Sequence, residues 1–481
     1  MKRFAALGIL LALVGTARAD VKLPAIFGNH MVLQRGMKVP VWGTADAGEK
    51  VTVKVLTQEQ SATADSKGSW RVTLDPLTSD EPIEVSISGK NQIKFSDVLI
   101  GEVWVCSGQS NMERRVDQSA NSEQEIKNSD HPKIRLFVVQ HNFTDEPQSD
   151  VKGGEWMVCS PETIAHFTAV GYFFGRELQE KLNVPMGLIE SNWGGTRAEA
   201  WIPKDAFDRL HLPYEPAWTE EWLHPKPNPA STRPTPERPF EAPAVLFNGM
   251  INPLVGYAIR GVIWYQGESN APHPEQYREV MASLISSWRQ RWGEGDFPFL
   301  VVQLANFHVP KNNTSVSKGD DDSGWPGVRE AQAQLVNSVP NVGLAVTIDI
   351  GESRDIHPKN KQDVGKRLAL AAEKIAYGQN VEYSGPTIKS MQVQDGKIVL
   401  TFDHADGGLV NKGDAVEGFE IAGQDGKFVK ADAKIDGDKV VVSSDQVKEP
   451  KQARYGWFDD PKCTIYNKSG LPMGPFRTST P

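Results

Sequence analysis

The sequence predicts an α/β protein in which a central domain with a parallel sheet is flanked by β-sandwich-like regions. Three observations carry this. Between about residues 98 and 380, short apolar runs alternate with helical patterns. Residues 20–97 read instead as short strands and turns, and the same texture returns over residues 385–481. Strand–helix alternation implies a parallel sheet covered by helices on both faces. Short strands separated by turn residues imply a β-sandwich.

The first nineteen residues stand apart. Lys2 and Arg3 are followed by the apolar run Phe4–Val14 and by Ala17-Arg18-Ala19, a small-x-small cleavage site. This is the layout of a signal peptide over residues 1–19, so export to the periplasm or the medium is expected. The apolar run is too short to span a bilayer, and no later apolar segment is long enough either. Such a run could also be a buried first helix, but that would rarely carry both the basic start and the A-x-A end.

In the region 20–97, Val39–Gly43, Lys50–Val55, Arg71–Leu74 and Ile83–Ile87 are the strand-like runs. In the region 98–380, strands are expected at Val103–Cys106, Ile134–Val139, Met186–Ile189, Gly261–Tyr265, Phe299–Leu304 and Val342–Ile348. Helices are expected at 163–182, 274–292, 326–337 and 360–377. In the last, Val364, Leu368, Ala371 and Ile375 fall on one face. Beyond 385, Lys397–Phe402 and Lys439–Val442 are the clearest strands. Two loops stand out. Residues 212–243 hold nine prolines with Trp218 and Trp222, either a lid over a cleft or a stiff surface excursion. Residues 311–324 form a polar loop whose carboxylates lack the spacing of a calcium site.

A formal net charge of -9 with no basic block argues against nucleic acid as a partner and against attraction to anionic membranes. The three cysteines, Cys106, Cys159 and Cys463, have no C-x-x-C spacing, so no metal site is suggested and no cofactor is called for.

Four strand ends carry the chemistry. Val103–Cys106 ends in Ser107-Gly108-Gln109-Ser110, where a parallel sheet presents its ligands. Ser110 is there either a nucleophile or a helix N-cap. Asp355-Ile356-His357-Pro358 precedes the 360–377 helix. A serine hydroxyl needs a base to take its proton, histidine is the usual one, and a nearby acid such as Asp355 can orient it. The alternative for His357 is a structural turn residue. Gly194 and Gly195 let backbone N–H groups approach a ligand, as an oxyanion hole requires, though a tight turn is the commoner use of such a pair. Gln266, at the end of Gly261–Tyr265, can donate into the same cleft. Ser269 is a rival nucleophile further from the strand end. A serine, a Gly-Gly pair, an amide and a histidine at successive strand ends together describe an acyl-transfer site.

Gly108-Gln109-Ser110-Asn111-Met112, Trp193-Gly194-Gly195-Thr196, Trp264–Asn270 and Asp355–Pro358 resemble the successive blocks of the sialate O-acetylesterases, in the SGNH hydrolase superfamily. Leu23–Phe27, Met31–Gln34 and Gly470–Arg477 are also similar to that family, so the resemblance spans nearly the whole chain after residue 19. It implies a flavodoxin-like SGNH domain and metal-independent hydrolysis of O-acetyl esters. It implies Ser110 as nucleophile, His357 as general base, and oxyanion donors at the Ser110 amide, at Gly194 and Gly195, and at Gln266. The superfamily pattern has Asn where this chain has Gln266, and an acid three residues before the histidine, where this chain has Arg354. The group orienting His357 is therefore open among Asp355, Asp349, Glu268 and a backbone carbonyl. Arg197 and Glu268 are the candidate substrate contacts. Arg197 could pair with a sialic acid carboxylate, or with Glu199 inside the loop. The expected partner is an acetylated carbohydrate, either 9-O-acetylated sialic acid or a polysaccharide such as acetylated xylan. A non-catalytic carbohydrate-binding protein is the reading from another class, and it needs neither Ser110 nor His357.

Overall fold

The computed structural model describes residues 20–212, 239–309 and 324–478. The expected signal peptide and most of the loops at 212–243 and 311–324, Trp218 and Trp222 included, lie outside the described residues.

Six strands precede the main sheet: β1 (Val32–Gln34), β2 (Val39–Thr44), β3 (Lys50–Val55), β4 (Gln58–Thr63), β5 (Ser69–Leu74) and β6 (Ile83–Ser88). Strand periodicity places every second residue inside. Val51, Val53 and Val55 of β3 and Trp70, Val72 and Leu74 of β5 are buried, while their neighbours face outward. β2 pairs antiparallel with β5, and β3 pairs antiparallel with β4 and β6. Neither β1 nor the polar β4 announces itself by periodicity.

β7 (Gln92–Gly108) joins this region to the main sheet. Its first half pairs antiparallel with β6, and its second half lies parallel between two strands of the main sheet. One continuous strand therefore crosses the composition change near residue 97. The main sheet adds β8 (His131–Val138), β9 (Trp156–Cys159), β10 (Met186–Asn192), β11 (Gly261–Tyr265), β12 (Phe299–Val302) and β13 (Val342–Ala345). Its order is β13-β12-β11-β7-β10-β8-β9. All neighbours are parallel except the edge pair β8–β9.

Both faces of this sheet are covered. Val103 and Val105 of β7, with Val262 and Trp264 of β11, join one core, which also includes Val51, Val53 and Val55 of the preceding region. Trp104 and Cys106, with Ile263 and Tyr265, join the other. Among the described residues the α-helices are α1 (Ser110–Glu113), α2 (Ser122–Lys127), α3 (Ala169–Leu182), α4 (Lys204–Phe207), α5 (Pro274–Trp292), α6 (Trp325–Ser338) and α7 (Gln362–Ile375). α3 and α7 bury Phe173, Phe174, Leu178, Val364 and Leu368 in the second core. α5 and α6 bury Tyr277, Leu284, Trp288, Val328 and Leu335 in the first. α3 starts later than its sequence pattern suggests. Thr168 caps it by accepting from the Gly171 N–H, and residues 164–166 form a separate 3-10 turn.

Among the described residues, the C-terminal strands build two four-stranded antiparallel sheets and a two-stranded one, around a third core holding Ile398, Leu400, Phe419, Val440 and Tyr455. The fully buried Arg329 of α6 ties this region to the main sheet. It donates to the carbonyls of Leu304 and Ala305 on one side and of Phe458 and Asp459 on the other. No helix among the described residues is long and apolar enough to cross a membrane.

Candidate active site

Three strands end level. Gly108 of β7 pairs in register with Asn192 of β10 and Tyr265 of β11, so the loops after them leave the sheet at one place. Gly108 is a steric requirement there. Its φ is +139°, and a Cβ would fall 2.1 Å from the Tyr265 carbonyl oxygen. The chain then turns, and Ser110 opens α1. The N-cap position belongs to Gln109, whose backbone is extended and whose side chain makes no capping bond. The Gln109 carbonyl group of the side chain instead accepts from the N–H groups of Gly267 and Ser269, at 3.3 Å each, fastening the serine turn to the loop after β11. Ser110 is thus not spent on a cap.

His357 arrives on the loop between β13 and α7. Its Nε2 lies 2.9 Å from Ser110 Oγ. Asp355 Oδ1 accepts from the backbone N–H of His357 at 2.9 Å and stands 3.8 Å from ring Nδ1. The nearby acid thus shapes the loop and makes no hydrogen bond to the imidazole. The other candidates for orienting the ring are committed elsewhere. Asp349 forms a two-point ion pair with Arg367, at 2.6 and 2.8 Å, and accepts from the Tyr466 hydroxyl. Burial, with the charges of Arg114 and Lys361 behind it, pushes His357 down from 6.5 to about 4, so the ring is neutral at pH 7 and able to accept a proton.

Behind this pair lies a buried polar link. Asn111 Nδ2 donates to Glu268 Oε1 at 2.6 Å and to the Ile356 carbonyl at 2.9 Å, and Asn111 Oδ1 accepts from Lys361 Nζ at 2.6 Å. Asn111, Glu268 and Lys361 are each at most 2% exposed. Burial pushes Glu268 up and Lys361 down to about 7. Glu268, expected as a substrate contact, is instead an internal brace, with its Oε2 unpaired among the described residues. Lys361, inside the helical pattern at 360–377, carries no sequence signal of this role.

The Gly-Gly loop reaches the same place. A Cβ on Gly194 would lie 3.2 Å from Ser110 Cβ, and the Gly194 N–H donates to Glu113 Oε2 at 2.5 Å. A backbone donor beside the serine hydroxyl therefore already holds a carboxylate oxygen. Gly195 follows in a left-handed turn, φ +74°. Gln266 was expected to donate into the cleft and does not. Fully buried, its Nε2 donates to the Thr196 carbonyl and to Asn270 Oδ1, while its Oε1 accepts from the Tyr277 hydroxyl. Asn270 Oδ1 also accepts from the Ala198 N–H. Gln266 and Asn270 hold the 194–199 loop from beneath. Ser269 is mostly buried, and no histidine contact to it is found among the described residues.

The expected Arg197–Glu199 pair is absent among the described residues. The Glu199 carboxylate accepts from Asn270 Nδ2 with both oxygens, and Arg197 lies toward His273, whose pKa is lowered by burial first and by the Arg197 charge to a lesser extent. Trp193 is stacked with His141 at 4.1 Å and with Phe240 at 4.8 Å, and Trp264 and Tyr265 are core. The cleft over the serine, about 350 Å³, is lined by Ser110, Glu113, Arg114, Arg115, Gln118 and His357. A larger cavity of about 560 Å³ beside Trp457 and Arg477 does not include this pair.

Comparison with known proteins gives one answer. The family model described as carbohydrate esterase, sialic acid-specific acetylesterase, matches residues 100–217 and 240–374. The sialate O-acetylesterase of Rattus norvegicus is 32% identical over 431 residues, covering 78% of each chain. That of Homo sapiens is 30% identical, covering 98% of this chain and 95% of the relative. The crystal structure of a carbohydrate acetylesterase from Xanthomonas citri superposes with a TM-score of 0.85 at 38% identity, over 96% of this chain and all of that one. The chain is a carboxylic ester hydrolase with an α/β sheet at its centre. It belongs to the sialic acid-specific acetylesterase family of carbohydrate esterases.

Proposed function

We propose that this enzyme hydrolyses O-acetyl esters on sialic acid, with Ser110 as nucleophile and His357 as general base. The observation that carries the assignment is the 2.9 Å separation of Ser110 Oγ and His357 Nε2 at the carboxyl edge of a parallel sheet. His357 takes the hydroxyl proton as Oγ attacks the acetyl carbonyl. The tetrahedral oxyanion forms where backbone N–H groups converge, at Ser110 and Gly194, once the Glu113 carboxylate yields its place. The protonated His357 returns its proton to the departing sugar hydroxyl. Water, deprotonated by the same imidazole, then attacks the acetyl-serine; the bond to Ser110 Oγ breaks, His357 returns the proton to Oγ, and acetate leaves.

Asp355 serves this reaction through the loop, by holding the His357 backbone. The strands β10-β7-β11-β12-β13, numbered along the chain, run 2-1-3-4-5, the flavodoxin-like order, with β8 and β9 added outside β10. That order supports an SGNH-type domain. Export under the direction of residues 1–19 belongs to the same proposal, and amino-terminal sequencing of exported protein that begins at Met1 would refute it. Acetate release from 9-O-acetylated sialic acid and from acetylated xylan tests the substrate, using wild type and Ser110→Ala. Faster release from the sialic acid, lost in the variant, is expected. A clear preference for xylan would overturn the substrate assignment and leave the chemistry standing.

A further inference from the structure

Two arginines among the described residues line the cleft, Arg114 and Arg115, and the reaction above uses neither. The Arg114 N–H donates to the Ser110 carbonyl at 2.9 Å, and the Arg114 carbonyl accepts from the Ala169 N–H at 2.8 Å. Its backbone is thus tied to the serine turn and to the first turn of α3. Its side chain lines the cleft with Ser110 and His357. The neighbouring Arg115 is spent, forming a two-point pair with Asp117 at 3.1 Å for each bond. Arg114 differs. Among the described residues, its side chain has no hydrogen bond and no carboxylate within ion-pair distance. Arg197, which the sequence offered for an anionic substrate, is not among the residues lining this cleft.

A guanidinium is a planar fork matched to a carboxylate. Left beside a bound neutral sugar, it would be partly desolvated with no partner, which opposes binding. Placing it there also runs against the overall sign of a chain whose net charge is -9. We propose that Arg114 binds the carboxylate of the substrate and so selects acidic sugar esters of the sialic acid type over neutral ones, a role that rests on the Ser110–His357 reading of the site. Arg114 then fixes the sugar while Ser110 and Gly194 act on its acetyl group.

The test compares kcat/KM for 9-O-acetylated sialic acid and for its carboxyl methyl ester, in wild type, Arg114→Gln and Arg114→Lys. Wild type should favour the free acid by roughly tenfold or more, the usual gain from a charge-assisted pair. R114Q should lose that preference, chiefly through KM, and R114K should keep part of it. Each ratio is taken within one protein, so a smaller folded fraction cancels. An unchanged ratio in R114Q, or no preference in wild type, overturns the proposal. So does a parallel loss on both esters, which would instead mark Arg114 as a stabiliser of the oxyanion. Ser110→Ala, assayed beside them, separates the two claims: full activity in that variant defeats the site reading, whatever Arg114 does.

Discussion

The side-chain amide of Asn111 donates to the carbonyl of Ile356 at 2.9 Å, and each residue is the immediate neighbour of one member of the hydrogen-bonded pair Ser110 and His357, the proposed nucleophile and base. The serine turn after β7 and the histidine loop before α7 are thereby held to each other by one buried side chain. Lys361 and Glu268 fix that side chain from two further directions. The distance between Ser110 and His357 is set from behind, where water does not reach.

Asn111→Ala should therefore lower kcat by about 100-fold with little change in KM, because misplacing reacting groups by about 1 Å has that cost. It should also cost about 1–3 kcal/mol of stability by leaving Lys361 and Glu268 without their shared partner. Steady-state kinetics and thermal denaturation check both effects. A wild-type kcat in this variant would show that the link does not position the pair.

The acid limb of kcat/KM should lie near pH 4. The folded pKa of His357 is below its ordinary value of 6.5. The neutral base thus persists as pH falls and is lost only near the depressed value. Arg114 is among the charges lowering it, so Arg114→Gln should move the limb to higher pH. A wild-type limb at 6.5 would contradict the burial and the neighbouring charges described for this imidazole.

Gly194→Ala should lower kcat by roughly 100-fold, because the backbone N–H is kept but displaced, and a misplacement of about 1 Å has that cost. The added methyl would lie 2.7 Å from Glu113 Oε2 and 3.2 Å from Ser110 Cβ, crowding the place where the oxyanion forms. Nearly unchanged turnover would move the donors elsewhere.

Asp355→Asn should be mild. An amide oxygen can still accept from the His357 N–H, and no bond to ring Nδ1 is lost. The loss in kcat should stay well under the roughly 10⁴-fold reported by an acid that fixes the ring tautomer. A loss of that size would show that Asp355 closes onto Nδ1 during turnover.

The layers of the fold were legible because alternation is local. Val103 and Val105 against Trp104 and Cys106 declare a strand with two buried faces, and β7 has them. That Ser110 and His357 meet was legible because each follows a strand end. The destinations of long polar side chains were not. Whether Gln266 points into the cleft or under the Gly-Gly loop depends on Thr196, Asn270 and Tyr277, and no spacing rule states that choice. Asp355 lies two residues from His357, and only the turn between Glu352 and Asp355 sends its carboxylate to the backbone. Arg114 and Arg115 are alike in sequence, and the presence of Asp117 beside one of them separates a paired cation from an open one. Lys361 lies in the helical pattern at 360–377 with nothing in its spacing to mark it, yet it is buried against Asn111.

The most direct test of the central claim is to label the enzyme with a serine-directed organophosphate and map the adduct by mass spectrometry. A single adduct on Ser110 is predicted, formed much more slowly in His357→Ala and absent in Ser110→Ala. An adduct on Ser269, or labelling of Ser110 at an undiminished rate without His357, would contradict the account.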